Sequence, residues 1–427
     1  MTNFETSLEY ARSLDQADKL SHFRDQFSIP EDRDGRRNIY MCGNSLGLRP
    51  QSAVSLVNEV LEDWARLGVE GHFKATKPWL QYHRLATSGF AMLTGAKENE
   101  VVAMNTLTVN LHLMMASFYR PDATRNKIII ESTAFPSDYF AVTSQIRLHG
   151  YDPDACLVEW VPRDDELLYS EDLEELLEQH AGEVALLLLP GVQYYTGQVL
   201  DMEAHCRLAR DAGCKIGLDL AHAVGNVPME LHDWAPDFAA WCSYKYLNSG
   251  PGAVGGAFVQ SRHLDGDGSD QLMGWWGHEE STRFRMARTF RPAEGAERWQ
   301  LSNPPVLALA PIIASMGLFE EVGIGALREK SQLQTEYLKF LLDQHFTDRV
   351  DTITPMDARG CQLSLVITDS NLDARAVFKD LEAMHVIGDW REPNVIRVAP
   401  VPLYNSFEDI HELIERMKTA IGANEKG

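Results

Sequence analysis

Asp219, His222 and Lys245 are the side chains of this sequence whose types and spacing best suit chemistry. In CKIGLDLAHAVGN (214–226) the acid and the imidazole stand at the end of one expected strand, and in SYKYLNSGPG (243–252) the lysine stands just past the next. A carboxylate in that position pairs with a protonated pyridine nitrogen and keeps an aromatic ring electron-withdrawing. An amine beside it condenses with an aldehyde and afterwards moves the proton of an α-carbon. Together they meet the needs of a pyridoxal phosphate site. The competing readings are an Asp219 that caps the next helix, a His222 that satisfies local polar groups and a lysine in solvent. A lysine flanked by Tyr244 and Tyr246 and followed by a glycine-rich turn fits the last of these poorly.

Further candidates surround this set. Ser243 and Tyr244 place hydroxyls beside Lys245, and packing of the lysine against Tyr244 would depress the phenol pKa. Thr108 stands in a turn before an expected helix, whose free amides suit a phosphate. In ESTAFPSDYF, Phe135 could stack on a pyridine ring and Asp138 could hydrogen-bond to it or to a nearby hydroxyl, with core packing and helix capping as the alternatives. Arg397 has apolar neighbours in VIRVAPVP and needs a partner, either a substrate carboxylate or an internal acid.

The elements that must position these residues alternate. Strands are expected at 126–132, 156–162, 183–190, 214–220, 237–243 and 253–259, with helices between most of them, and 99–119 reads as a helix behind a threonine-rich turn. Apolar strands without strict alternation imply a mostly parallel sheet covered on both faces. Residues 1–30 read as a helical lead-in, 38–50 as a loop able to line a cleft and 52–68 as a helix stopped by glycine. After a long apolar helix at 303–323 comes a charged one, then an α+β cluster. The expected fold is therefore α/β: a large domain with a mostly parallel, helix-covered sheet (51–319), a smaller α+β C-terminal domain (320–427) and an N-terminal segment (1–50) packing with the latter.

The whole composition narrows the classes. With 39 basic against 62 acidic residues, a net charge of -23, and no long basic block, nucleic acid is a poor partner. The first twenty residues lack the basic start and apolar run of a secretory signal, and no uncharged apolar stretch reaches membrane-spanning length. Cysteines at 42, 156, 206, 214, 242 and 361 show no C-x-x-C pairing, as expected of a reduced cytoplasmic protein. The glycines spell neither a dinucleotide fingerprint nor a P-loop, and no His/Cys cluster suggests a metal.

GNSLGLRP (43–50), GHFKATKPW (71–79), MNTLTVNLH (104–112), FPSD (135–138), GVQYYTGQ (191–198), DLAHAVGN (219–226), SYKYLNSGPG (243–252), GWWGHEESTRF (274–284) and RVAPVPLYNSF (397–407) together resemble kynureninase. The resemblance runs from about residue 38 to the end of the chain. It implies a fold-type I pyridoxal phosphate enzyme, homodimeric, with active sites at the subunit interface. By motif, Lys245 would bond the cofactor, Asp219 would partner the pyridine nitrogen and His222 would lie beside it. Leu107 and Thr108 would bind the phosphate, with Tyr244, Trp275 and Asn303 in the same region, some of them across the dimer. Phe135, Pro136, Ser137 and Asp138 would cover and orient the ring. His72 and Asn303 would meet the substrate ring, and Arg397 its α-carboxylate. Where the family commonly carries Ser or Thr before GV..YTGQ, this chain has Pro190, which has neither a hydroxyl nor a backbone donor.

The implied reaction is hydrolysis of L-kynurenine, or its 3-hydroxylated form, to anthranilate or 3-hydroxyanthranilate and L-alanine, with Lys245 as the base and Tyr244 as the acid. Transamination and cysteine desulfuration are its rivals within the fold. Desulfuration needs a nucleophilic cysteine on a mobile loop, whereas Cys242 and Cys361 belong to expected strands. A cofactor-free scaffold is the rival outside enzymes.

Overall fold

The structure, a computed structural model, describes residues 3–424 except 267 and 269. Seven strands form the central sheet: β1 (Val101–Ala103), β2 (Lys127–Glu131), β3 (Leu157–Trp160), β4 (Val184–Pro190), β5 (Lys215–Asp219), β6 (Phe238–Trp241) and β7 (Gly256–Val259). Their order is β1-β7-β6-β5-β4-β2-β3. β7 runs antiparallel to both neighbours, and the other pairs are parallel. Successive side chains divide between two apolar layers, as a period of two requires. Ile129, Leu187, Leu189 and Leu218 enter one layer, and Ile128, Ile130, Leu186 and Leu188 the other. Both faces are dry, so β4 is the unbroken apolar run VALLLLP.

The helices that matter for the site are α1 (Leu8–Ala17), α2 (Ser52–Leu67), α3 (Leu107–Phe118), α4 (Pro136–Leu148), α5 (Val306–Val322), α6 (Ile324–His345) and α7 (Phe407–Ala423). The chain bends by 82° between α5 and α6, at Gly323 with φ +74°. Beyond the bend, β8 (Val350–Thr352), β9 (Leu363–Ile367), β10 (Asp389–Arg391) and β11 (Val395–Val398) make an antiparallel sheet in the order β8-β9-β11-β10. Leu341, Leu365, Ile396 and Leu413 share an apolar cluster on it with Ala11, Ile39 and Met41 from the N-terminal segment. The Asp15 carboxylate accepts the free first-turn amides of α7 from Phe407 at 2.7 Å and Glu408 at 2.9 Å, which ties α1 down. No single helix among the described residues is long and apolar enough to cross a membrane.

Several local expectations are corrected. The run 99–119 is not one helix behind a turn. Val101–Ala103 pairs with Phe258–Gly256 as the sheet edge, and Thr108 is the second residue of α3. The segment 1–30 holds α1, a 3₁₀ turn at Ser21–Gln26 and a short strand, Phe27–Ser28. Within 38–50, Ile39–Tyr40 pairs with Val386–Ile387 and Arg49–Pro50 with Phe27–Ser28. These two-residue pairings carry no periodicity of their own, because distant partners create them.

Candidate active site

β5 delivers Asp219 at its C-terminal end, where parallel sheets leave a crevice. Asp219 Oδ1 accepts the amide of Ala221 at 2.7 Å, which turns the chain immediately after the strand and sets His222 facing Lys245. The alternative of a helix cap fails, since residues 221–226 form turns and the next helix begins only at Leu231.

Lys245 follows β6 through a knot of backbone bonds. Ser243 Oγ donates to the Val254 carbonyl at 2.5 Å, Ser249 N to the Ser243 carbonyl at 3.1 Å and Asn248 N to the Lys245 carbonyl at 3.0 Å. Gly47, from the loop before α2, donates its amide to the Tyr244 carbonyl at 2.8 Å. A Cβ at Gly47 would stand 2.2 Å from the Lys245 carbonyl oxygen, so only glycine permits this approach. The outcome is a lysine whose Nζ lies 2.8 Å from His222 Nε2. Burial and Lys245 hold the His222 imidazolium pKa well below its usual value, so His222 is the neutral acceptor and Lys245 the donor.

These groups line one cavity of about 380 Å³ with Leu107, Thr108, Phe135, Ser137, Asp138, Tyr244 and Arg397. Leu107 and Thr108 open α3, and Thr106, its N-cap, makes no side-chain cap, so first-turn amides remain for an anion. Phe135 is 45% exposed and meets Tyr194 edge-on at 5.3 Å, leaving ring surface open to the cavity. Ser137 Oγ donates to Asp138 Oδ1 at 3.1 Å. Burial and the neighbouring Asp219 push the Asp138 pKa well above the usual range, so Asp138 carries a proton and donates to Asp219. Burial, Cys242 and Asp219 likewise raise the Tyr244 phenol pKa; Lys245 does not depress it, and Tyr244 keeps its proton.

Arg397, 1% exposed, joins both of its expected roles. It pairs with Asp389 of the neighbouring strand and donates to the Tyr194 carbonyl at 2.6 Å, yet it also lines the cavity and its Nε has no partner. Arg391 shares Asp389 at 3.0 Å and lines the same wall. Pro190, the last residue of β4, lies beside Asp219 in register and also faces the cavity.

Two expected site residues are adjacent to the cavity rather than on it: Pro136 begins α4, and Ser243 is buried in the lysine turn. His72, Trp275 and Asn303 do not line this chain's cavity. His72 packs edge-on to Trp79 at 5.4 Å, Trp275 donates its indole N–H to the Arg283 carbonyl at 3.2 Å and Asn303 is exposed. Sequence reasoning missed Asn44, Ser45, Glu131, Tyr194 and Arg391. The motifs GNSLGLRP and GVQYYTGQ contain three of them; Glu131 is a lone acid ending an apolar strand, and Arg391 sits in a short charged strand without pattern.

The donor set fits pyridoxal phosphate: an amine, an acid at the strand end, an exposed aromatic face and an uncapped helix start share a cavity of suitable size. The C-DES protein with glycine covalently linked to its PLP cofactor superposes with a TM-score of 0.77 at 17% identity, covering 92% of this chain and 98% of that one. A cysteine desulfurase from Thermococcus onnurineus NA1 superposes at 0.75 and 17% identity, covering 90% and 95%. Both superpositions show the fold-type I architecture, and the cavity's donors suit the cofactor that class of fold carries.

Sequence relatives narrow the class. Kynureninase of Xanthomonas campestris pv. campestris (strain B100) is 53% identical over 416 residues, 97% of this chain and 98% of that one, and kynureninase of Stenotrophomonas maltophilia (strain K279a) is 52% identical over 419 residues, 97% and 99%. The family model for the kynureninase C-terminal domain matches residues 327–417. The chain belongs to the kynureninase family.

Proposed function

We infer that this protein hydrolyses L-kynurenine, and its 3-hydroxylated form, to anthranilate or 3-hydroxyanthranilate and L-alanine in tryptophan catabolism. The observation that carries this reading is the Lys245 amine held 2.8 Å from a neutral His222, in one cavity with Asp219 and the start of α3, within a chain 53% identical to kynureninases.

Pyridoxal phosphate, when bound, supplies an aldehyde for the substrate amine and an electron sink for the bonds broken at its α- and β-carbons. Lys245 and Asp219 would hold it, Leu107 and Thr108 would bind its phosphate and Phe135 to Asp138 would cover its ring. Asp219 would favour a protonated ring nitrogen. Lys245 would take and return the α-proton of the substrate, and neutral His222 would support it as a base by accepting its hydrogen bond without adding charge. Once water has added to the side-chain carbonyl and the bond between the β- and γ-carbons has broken to release the aryl carboxylic acid, Tyr244, its phenol kept protonated by burial, would deliver a proton to the β-carbon. Arg397 grips the α-carboxylate through its unpaired edge.

Desulfuration is disfavoured by the thiols. Five of the six cysteines are buried, and burial raises the Cys361 pKa to about 12, so it stays a thiol. All six are free, which supports a reducing, cytoplasmic setting. A homodimer with shared sites belongs to the same reading. Phe73, Phe284 and Trp275 are 61%, 54% and 46% exposed, and Phe284 meets Trp275 at 5.6 Å and Phe73, the residue after His72, at 6.4 Å. An exposed aromatic group carrying expected site residues absent from the chain's own cavity supports their insertion into a second copy. The division at about residues 50 and 319 is proposed on the separate apolar clusters of the two sheets.

Incubation of the loaded protein with L-kynurenine should yield anthranilate and L-alanine in equal amounts without added keto acid. Product that requires a keto acid, with accumulation of pyridoxamine phosphate, would replace hydrolysis by transamination.

A further inference from the structure

Behind Asp219 lies a carboxyl group that the reaction outlined above does not use. Glu131 ends β2, is 2% exposed and lines the cavity with Asp219 and Asp138. Its nearest polar partners are neutral: Thr133 Oγ1 donates to Oε2 at 3.2 Å, and the Gln193 side chain also hydrogen-bonds to it. Among the described residues no lysine or arginine pairs with it. The titratable groups that face it are Asp219 at the end of β5, Asp138 in the first turn of α4 and Tyr194 after β4, with Arg397 and Arg391 beyond that tyrosine and committed to Asp389.

Three buried carboxyl groups lining one cavity resist ionising together, because each added charge is both desolvated and repelled by the others. Asp219 accepts the Ala221 amide at 2.7 Å and also hydrogen-bonds with Asp138, so of the three carboxyl groups it is the one met by both a backbone donor and a neighbouring acid. We propose that Glu131 is a positioning residue which, by holding a proton together with Asp138, leaves Asp219 as the single carboxylate presented to the pyridine nitrogen. The inference rests on the reading that this cavity takes pyridoxal phosphate. Burial and Asp219 push the Glu131 pKa up to about 7, in accord with the geometry. Ionisation of Glu131 would then place a second negative charge behind Asp219 as the solution passes neutrality.

Glu131→Gln preserves shape and neutrality but cannot titrate. The direct test is the thermal unfolding midpoint of cofactor-free protein against pH. A carboxyl whose folded pKa is raised binds its proton more tightly than the unfolded chain does, so its contribution falls as pH rises from the unfolded value through the folded one. The wild-type midpoint should fall relative to Glu131→Gln between about pH 5 and pH 7, and the gap should then stay constant. Glu131→Asp should retain a pH-dependent fall. If Glu131→Gln does not fold, Thr133→Val, which removes one donor to the carboxylate, should move the wild-type fall to higher pH. In the loaded protein, the pH dependence of pyridoxal phosphate affinity should be flatter in Glu131→Gln than in wild type. Parallel stability curves for wild type and Glu131→Gln, or a fall unmoved by Thr133→Val, would overturn the proposal. No readout requires turnover, so a protein that shows them and makes no anthranilate would refute the hydrolase reading while leaving the role of Glu131 intact.

Discussion

Tyr244 is where residue-scale chemistry can be separated from binding. Its phenol stays protonated because burial, Cys242 and Asp219 all disfavour the anion, which suits it to the proton-donor role proposed for it. Tyr244→Phe should lower kcat by about 10²- to 10⁴-fold with a small change in KM, measured in steady state against L-kynurenine. An unchanged kcat would remove Tyr244 from proton delivery. Arg397→Gln should act differently, raising KM and also costing about 3–5 kcal/mol of stability in denaturant unfolding, because Asp389 loses its closest cation. At this scale the sequence was informative where chemistry and position coincide: Asp219 and Lys245 are polar residues at the ends of apolar strands, and their surroundings mark them. Glu131 occupies the same kind of place at the end of β2, but without a neighbouring motif it reads as an ordinary strand terminus. Arg391 is brought to the wall by a strand of three residues, DWR, that follows neither a helical nor an alternating pattern.

At the scale of elements, the site depends on a glycine that never touches a ligand. The loop before α2 approaches the lysine turn closely enough for Gly47 to donate to Tyr244, and an added methyl would collide with the Lys245 carbonyl and with Asn248. Gly47→Ala should cost about 1–3 kcal/mol in denaturant unfolding and lower cofactor affinity, as overpacking shifts the turn that carries the lysine. Full retention of both would show that the turn tolerates displacement. The long alternation of strands and helices was legible because apolar runs of five to seven residues were bounded by turn signals. β1 was not, because its three residues VVA are too few to carry a period and run into the turn and helix within a few residues, so only pairing with β7 marks Val101–Ala103 as a strand. That misreading moved Thr108 out of the helix whose first turn it occupies.

For the whole molecule, the cavity of one chain supplies the lysine, the acid, the aromatic face and the helix start, while His72, Trp275 and Asn303 lie elsewhere on the chain. If those residues serve a second copy, mixing inactive Lys245→Ala and Asn303→Ala chains and allowing them to exchange should restore about a quarter of wild-type activity, since each mixed dimer then holds one intact site. Failure of subunits that exchange to recover activity would place both residues at one chain's site. The small α+β cluster and the final helix were legible from the change of pattern after the apolar helix 303–323, whereas the close tie of α1 to α7 rests on Asp15 meeting two backbone amides nearly four hundred residues away, a contact no local pattern announces.

The central claim is that pyridoxal phosphate, bonded at Lys245, makes this chain a kynurenine hydrolase. Borohydride reduction of the loaded protein, followed by peptide mapping and an anthranilate assay on the same sample, tests it most directly. A reduced adduct on the peptide containing Lys245, with loss of anthranilate formation, is the expected result. An adduct on another lysine, or undiminished anthranilate formation once Lys245 is modified, would contradict it.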